Sequence, residues 1–195
     1  MTAVALIAGF SIAPTAPAQA ASAASTVTKT GPAQTFAVDA NVVAAPLVRD
    51  SVTTTAAVQN LRAQGTNEDW ARLVLISGAW PQSEQNVTVM LRWMRQENGP
   101  DNWWNRNNPL NNGYGSGGGS GLGSYSNLVS AAEYAAANLH RGYPDVVAAL
   151  TAGTSADATA AAIWASPWAT SHYGNGSHWS TSPVPIIAAP QSAWE

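Results

Sequence analysis

The 195-residue chain contains no cysteine, which excludes disulfides, thiol catalysis and Cys-based metal sites together. Charge is scarce as well: Asp, Glu, Lys and Arg make up 10% of residues, against roughly a quarter in ordinary globular chains. Neither sign dominates. Eight basic and eleven acidic residues leave a net charge of −3, with no basic stripe of the kind that follows a nucleic-acid backbone. The apolar N-terminal stretch, Met1–Ile12, is too short for a bilayer-spanning helix, which needs about 20 residues. No stable membrane insertion is therefore expected. Apolar residues still account for 46% of the chain, which excludes disorder throughout and suffices for one core at this length. Tryptophan is unusually frequent for a chain of this length, with nine copies beside two phenylalanines.

Met1–Ile12 is followed by Pro14, Pro17 and the small residues Ala18-Gln19-Ala20-Ala21. A short apolar stretch ending in an A-x-A-like segment is what a signal peptidase reads, although the usual positive charge ahead of it is missing. Residues 1–20 are expected as a signal peptide, and the protein as secreted and associated with the cell wall. Residues 21–55 are rich in Ala, Thr and Ser, hold no 3.6-residue period, and are expected as a flexible spacer.

Helical pattern begins after Ala56. Ala57, Val58 and Leu61 form a short stripe stopped by Gly65. Thr66-Asn67-Glu68-Asp69 starts a second helix, with acids where the dipole favours them, and Trp70, Leu73 and Val74 follow at helical spacing to Gly78. Pro81 to Glu84 opens a third, whose Val87, Met90, Leu91 and Met94 fit i, i+3, i+4, i+7, closed by Asn98-Gly99-Pro100. Trp103 to Gly123 is expected as loop. Further helices are expected over Asn127–Leu139, with Leu128, Ala132, Ala135 and Leu139 on one stripe, over Pro144–Leu150, and over Ala156–Trp164. No strand-period run survives. The expected fold is a mainly α domain over 56–180, followed by an irregular tail at 181–195.

Glu97 follows Trp93 by four residues, Met94 by three and Met90 by seven, so it lies on or beside the apolar stripe of its own helix. It also sits in the last turn, where the negative end of the dipole opposes another negative charge. Desolvation and dipole both favour a raised pKa. A carboxylic acid held protonated near neutral pH can protonate the departing oxygen of a glycosidic bond. Trp103, Trp104, Asn105, Asn107 and Asn108 follow within eleven residues. Aromatic faces beside amides suit sugar rings, which present C–H faces and a rim of hydroxyls.

Five segments then run in a familiar order: Trp93-Met94-Arg95-Gln96-Glu97-Asn98-Gly99, Asn108-Pro109-Leu110-Asn111, Tyr125 with the stripe to Leu139, Tyr143 to Leu150, and Ser166-Pro167-Trp168-Ala169-Thr170. The set resembles the lysozyme-like superfamily of bacterial and phage cell-wall lysins, in the branch with a W-x-x-x-E helix followed by N-P-L-N. The likeness covers Ala56 to Gly174. It implies a lysozyme-like helical domain with a substrate cleft, and Glu97 as general acid. It also implies Asn108 and Asn111 as structural or sugar-contacting residues at the cleft border, Trp168 near the cleft, and Tyr125 and Tyr173 in it. The chain departs from the pattern at Ala132, where relatives usually carry Gly, and in its glycine-rich segment from Gly113 to Gly123.

Most glycoside hydrolases pair two carboxyls. Asp101, Glu133, Asp145 and Asp157 are the candidates for a partner to Glu97, and sequence spacing selects none of them. With a single acid, attack by the substrate's own N-acetyl group, closing to an anhydro sugar, stands beside hydrolysis. The glycine run has no strand before it and no Gly-Lys-Ser/Thr, so it is not a phosphate loop. His172 and His178 have no third ligand, and neither a metal nor a cofactor is implied. Trp70, Trp80 and Trp164 are expected in the core, while Trp103 and Trp104, being adjacent, cannot both face one way. The expected function is cleavage of the β-1,4-linked amino-sugar backbone of peptidoglycan by a monomer. The rivals are a lytic transglycosylase acting on the same bond, a wall-binding module without turnover, and an inert structural domain.

Overall fold

The computed structural model describes residues 49–119, 123–169 and 172–195. The expected signal peptide, the spacer up to residue 48 and Thr170 lie outside the described residues. Six α-helices follow one another: α1 (Arg49–Gln64), α2 (Asn67–Ser77), α3 (Glu84–Asn98), α4 (Leu128–Gly142), α5 (Pro144–Ala152) and α6 (Ala156–Ala165). Short 3-10 turns lie at Pro100–Asn102, Asn105–Asn107, Gly174–Gly176 and Gln191–Ala193. The described residues form no strand, and one isolated bridge joins Thr66 to Ala188. The fold is mainly α.

The helices start where side chains can replace missing backbone partners. Thr66 and Asp69 form a capping box at the head of α2. Ser83, Asn127 and Ser155 accept from backbone N–H groups at the starts of α3, α4 and α6. The expected start of α1 needs correction: the helix begins at Arg49, inside the segment expected as spacer. Residues 47–64 contain neither Gly nor Pro, so nothing in them breaks a helix. Among the described side chains of α1, Val58 and Leu61 are the hydrophobic residues packed against the core, a short apolar stripe.

Helix α2 packs against α1, α3 and α4, and α3 also meets α6. Trp70 is fully buried, and its indole N–H donates to the Leu128 carbonyl at 2.9 Å, tying α2 to the first turn of α4. Ala131, Ala132, Ala135 and Ala136 are buried on α4, small enough for close approach of a neighbour. The methyl of Ala132 is fully buried. Trp80 is buried as well, stacked on His140 with ring centroids 4.8 Å apart.

The segment 181–195 is irregular, yet it belongs to the packed domain. Asn67 donates to the Pro185 carbonyl at 2.9 Å and accepts from the Ile187 N–H at 3.1 Å. Ala189 N–H donates to Gly65, and Trp194 is 1% exposed. Gly65 turns the chain between α1 and α2 at φ +70°, and a Cβ there would sit 3.2 Å from the Trp194 indole nitrogen. The tail thus closes over a corner that only glycine permits.

Candidate functional site around Glu97

Glu97 occupies the penultimate position of α3, and its side chain is half-buried. Burial pushes its carboxyl pKa upward. Hydrogen bonds from Tyr173, Asn111, Trp168 and Trp93 pull the other way, and burial wins. Among the described residues no ion pair involves Glu97. The neighbouring Arg95 donates instead to the carbonyls of Ser180 and Ser182.

Two chains of donors converge on the carboxyl group. In the first, the Trp93 indole N–H donates to the Tyr173 hydroxyl at 2.9 Å, and that hydroxyl donates to Glu97 Oε1. An indole can only donate, so the single phenolic proton is free to point at the acid. Burial, followed by the charge of Glu97, raises the Tyr173 pKa, and the hydroxyl stays protonated. In the second, Arg106 Nη2 donates to Asn111 Oδ1 at 2.7 Å, and Asn111 Nδ2 donates to Glu97 Oε2 at 3.0 Å. A guanidinium also only donates, which fixes the amide with its NH2 toward the acid. The same Asn111 NH2 reaches the backbone carbonyl of Glu97 at 3.1 Å, satisfying an orphan acceptor at the end of α3.

The loop holds this geometry through asparagines. Arg106, Asn107 and Asn111 all take left-handed backbone conformations, with φ of 57°, 49° and 47°. Asparagine tolerates that region; for arginine it is uncommon and calls for support from the surroundings. Asn108 is 1% exposed; it donates to the carbonyls of Asn112 and Gly123 and accepts from the Asn112 N–H at 2.8 Å. Asn112 in turn accepts from Asn138 of α4 at 2.8 Å. Leu110, between them, is buried in the core.

The residues singled out from sequence therefore separate. Asn111, Trp168 and Tyr173 gather at Glu97, with Trp168 edge-on to Trp93 at 4.9 Å. Asn108 is a scaffold residue with its hydrogen bonds spent inside the protein, so the structural alternative describes it. Trp103 is a core residue, 1% exposed, donating to the Ile187 carbonyl at 2.9 Å. Trp104 and Tyr125 line a different hollow of about 470 Å³, shared with Asn105, Arg106, Asn107 and Ser192. Tyr125 is buried there, its pKa pushed up to about 12 by burial and by Tyr134. Helical spacing and resemblance do not single out Arg106. Its one available signal is that, apart from Asp101, it is the sole charge between Gly99 and Ser126.

The four candidates for a second carboxylate lie apart from this network. Asp157 pairs with Arg92 at 2.9 Å, and Glu133 lines a hollow with Val58 and His140. Asp145 is exposed in the first turn of α5, and Asp101 is exposed in the turn after α3. No hydrogen bond joins any of them to Glu97. Among the described residues no group of three metal-ligating side chains occurs, and no helix is long and apolar enough to cross a membrane. Compared with known proteins, the chain matches no family model, no curated protein and no solved structure.

Proposed function

We propose that the protein is a lysozyme-like, secreted glycosidase that cleaves the β-1,4-linked amino-sugar backbone of peptidoglycan, with Glu97 as general acid. The observation that carries this reading is a half-buried carboxyl with a raised pKa, held by neutral donors and paired with no cation. Such a group keeps its proton nearer to neutral pH and remains reachable, as proton delivery to a glycosidic oxygen requires. Asn111, Tyr173 and Trp168 restrain the carboxyl. As the glycosidic bond breaks, the proton passes from Glu97 to the leaving oxygen, and the same donors stabilise the carboxylate that remains.

A second reading of the same site needs no carboxylate partner, and none of Asp101, Glu133, Asp145 and Asp157 belongs to the hydrogen-bond network of Glu97. In that reading the substrate's N-acetyl oxygen bonds to C1 as the glycosidic bond breaks and Glu97 gives its proton to the leaving oxygen. Water, or the sugar's own 6-hydroxyl, then attacks C1, breaking the bond to the N-acetyl oxygen and returning a proton to the Glu97 carboxylate; water gives a hydrolysed end, and the 6-hydroxyl gives the anhydro end of lytic transglycosylase chemistry. Wall fragments incubated with the protein are expected to show new reducing or anhydro ends, and Glu97→Gln to bind the fragments and release neither. Equal turnover by the variant rejects the assignment. Binding without product from the unaltered protein identifies a wall-binding module instead.

A further inference from the structure

We propose that the hollow beside Arg106 is a second binding site, taking a carboxylate-bearing saccharide unit whose acid meets the guanidinium and whose ring face lies on Trp104. The choice of a saccharide rests on the glycan reading of Glu97; the hollow and its cation do not. At about 470 Å³ the space lies within the range of small-ligand pockets, roughly 300 to 1,000 Å³. Its walls mix an indole with the amides of Asn105 and Asn107 and the hydroxyls of Ser124 and Ser192. Trp104 lines it, at 88° to the buried Trp103 with centroids 5.8 Å apart. Trp103 turns wholly inward, while Trp104 is only partly buried against the core and borders the hollow.

The hollow contains a cation. Among the described residues Arg106 has no carboxylate partner, as Arg62, Arg95 and Arg141 also have none, but Arg106 is the arginine that lines this hollow. Its Nε is buried without an acceptor, and the hydrogen bond from Nη2 to Asn111 leaves the guanidinium charge uncompensated. A net charge of −3 gives the chain no general attraction for anions, so the preference is local to this arginine. A guanidinium matches a carboxylate through paired N–H donors, which a neutral amino sugar does not offer an acceptor for. Through Asn111 the same guanidinium is linked to Glu97, so a ligand that steadies Arg106 also steadies the donor facing the acid.

The test uses the full chain carrying Glu97→Gln, so that turnover plays no part, and follows backbone amide resonances during titration. Three probes are compared: N-acetylmuramic acid, N-acetylglucosamine and D-lactate. Saturable shifts at Asn105, Asn107 and Ser124 are expected with N-acetylmuramic acid, at least ten-fold tighter than with either other probe. Adding Arg106→Gln is expected to remove the preference over N-acetylglucosamine, and Arg106→Lys to keep part of it. Equal binding of the neutral sugar overturns the role of the cation. Equal binding of lactate overturns saccharide recognition, and shifts elsewhere, or none, overturn the site. Wall cleavage by the unaltered protein reports on Glu97 separately, so each reading can fail without the other.

Discussion

The packing of α2 against α4 and the loop between Gly99 and Ser126 satisfy their polar groups by different means. In the helices, backbone groups pair with one another, and buried side chains such as Trp70, Leu73, Ala132 and Ala135 need little beyond shape. In the loop the backbone has no ladder, and asparagine side chains supply the missing partners at Asn108, Asn111 and Asn112. The first arrangement is robust because it is repetitive. The second places individual donors, and it is the one that reaches Glu97. A site that needs particular N–H groups at particular oxygens is better built from amides than from methyl groups.

Five measurements on four variants sharpen this contrast. The largest effect is expected at the acid itself: Glu97→Gln lowers release of new ends from wall fragments by about 10²- to 10⁴-fold, the usual contribution of a positioned general acid. On the helical side, Trp70→Ala empties the α2–α4 contact and removes the tie to Leu128, destabilising the fold by about 3–5 kcal/mol in urea unfolding. On the loop side, Asn108→Ala removes the side-chain partner of the Gly123 carbonyl and of the Asn112 N–H, and costs about 1–3 kcal/mol. Its cleavage activity is expected to fall further than that stability loss explains, since the loop carries Asn111. If Trp70→Ala impairs activity more than Asn108→Ala at matched stability, the contrast fails.

The fourth measurement returns to Glu97→Gln and reads the raised Glu97 pKa through stability. The folded protein holds this proton more tightly than the unfolded chain, so Glu97 is tolerated best below the unfolded value of about 4.3 and destabilises the fold as pH rises through the folded value. The Tm of Glu97→Gln relative to the unaltered protein is therefore expected to improve from pH 4 to pH 8. A Tm difference, Glu97→Gln minus unaltered, that falls from pH 4 to pH 8 overturns the desolvation argument. The smallest effect is expected at Arg92→Ala, which breaks the ion pair with the exposed Asp157 and costs less than about 1 kcal/mol.

Helices α2, α3 and α4 were legible because each announces itself twice, by a capping side chain and by apolar residues at helical spacing, while α5 is marked by Pro144 at its start and α6 by the Ser155 cap. Glu97 was legible for the same reason, since its relation to Trp93 and Met94 is a matter of helix geometry. The start of α1 was not, because a polar helix with two anchoring residues leaves no period. Nor was Arg106, whose link to Glu97 runs through a left-handed turn and an amide five residues away.

What the order of residues determined alone is the helical class, the place of the acid on its helix, and the lack of metal-binding cysteines. These follow from local periodicity and composition, which need no partner from elsewhere in the chain. The tertiary structure decided which tryptophan turns inward, which asparagines face Glu97, and that Pro185 to Trp194 closes over the head of α2. Each of these is a contact between residues distant in sequence or a turn without a repeat. Such contacts are chosen by competition among all the polar groups the folded chain must satisfy at once, and no window of sequence contains that competition.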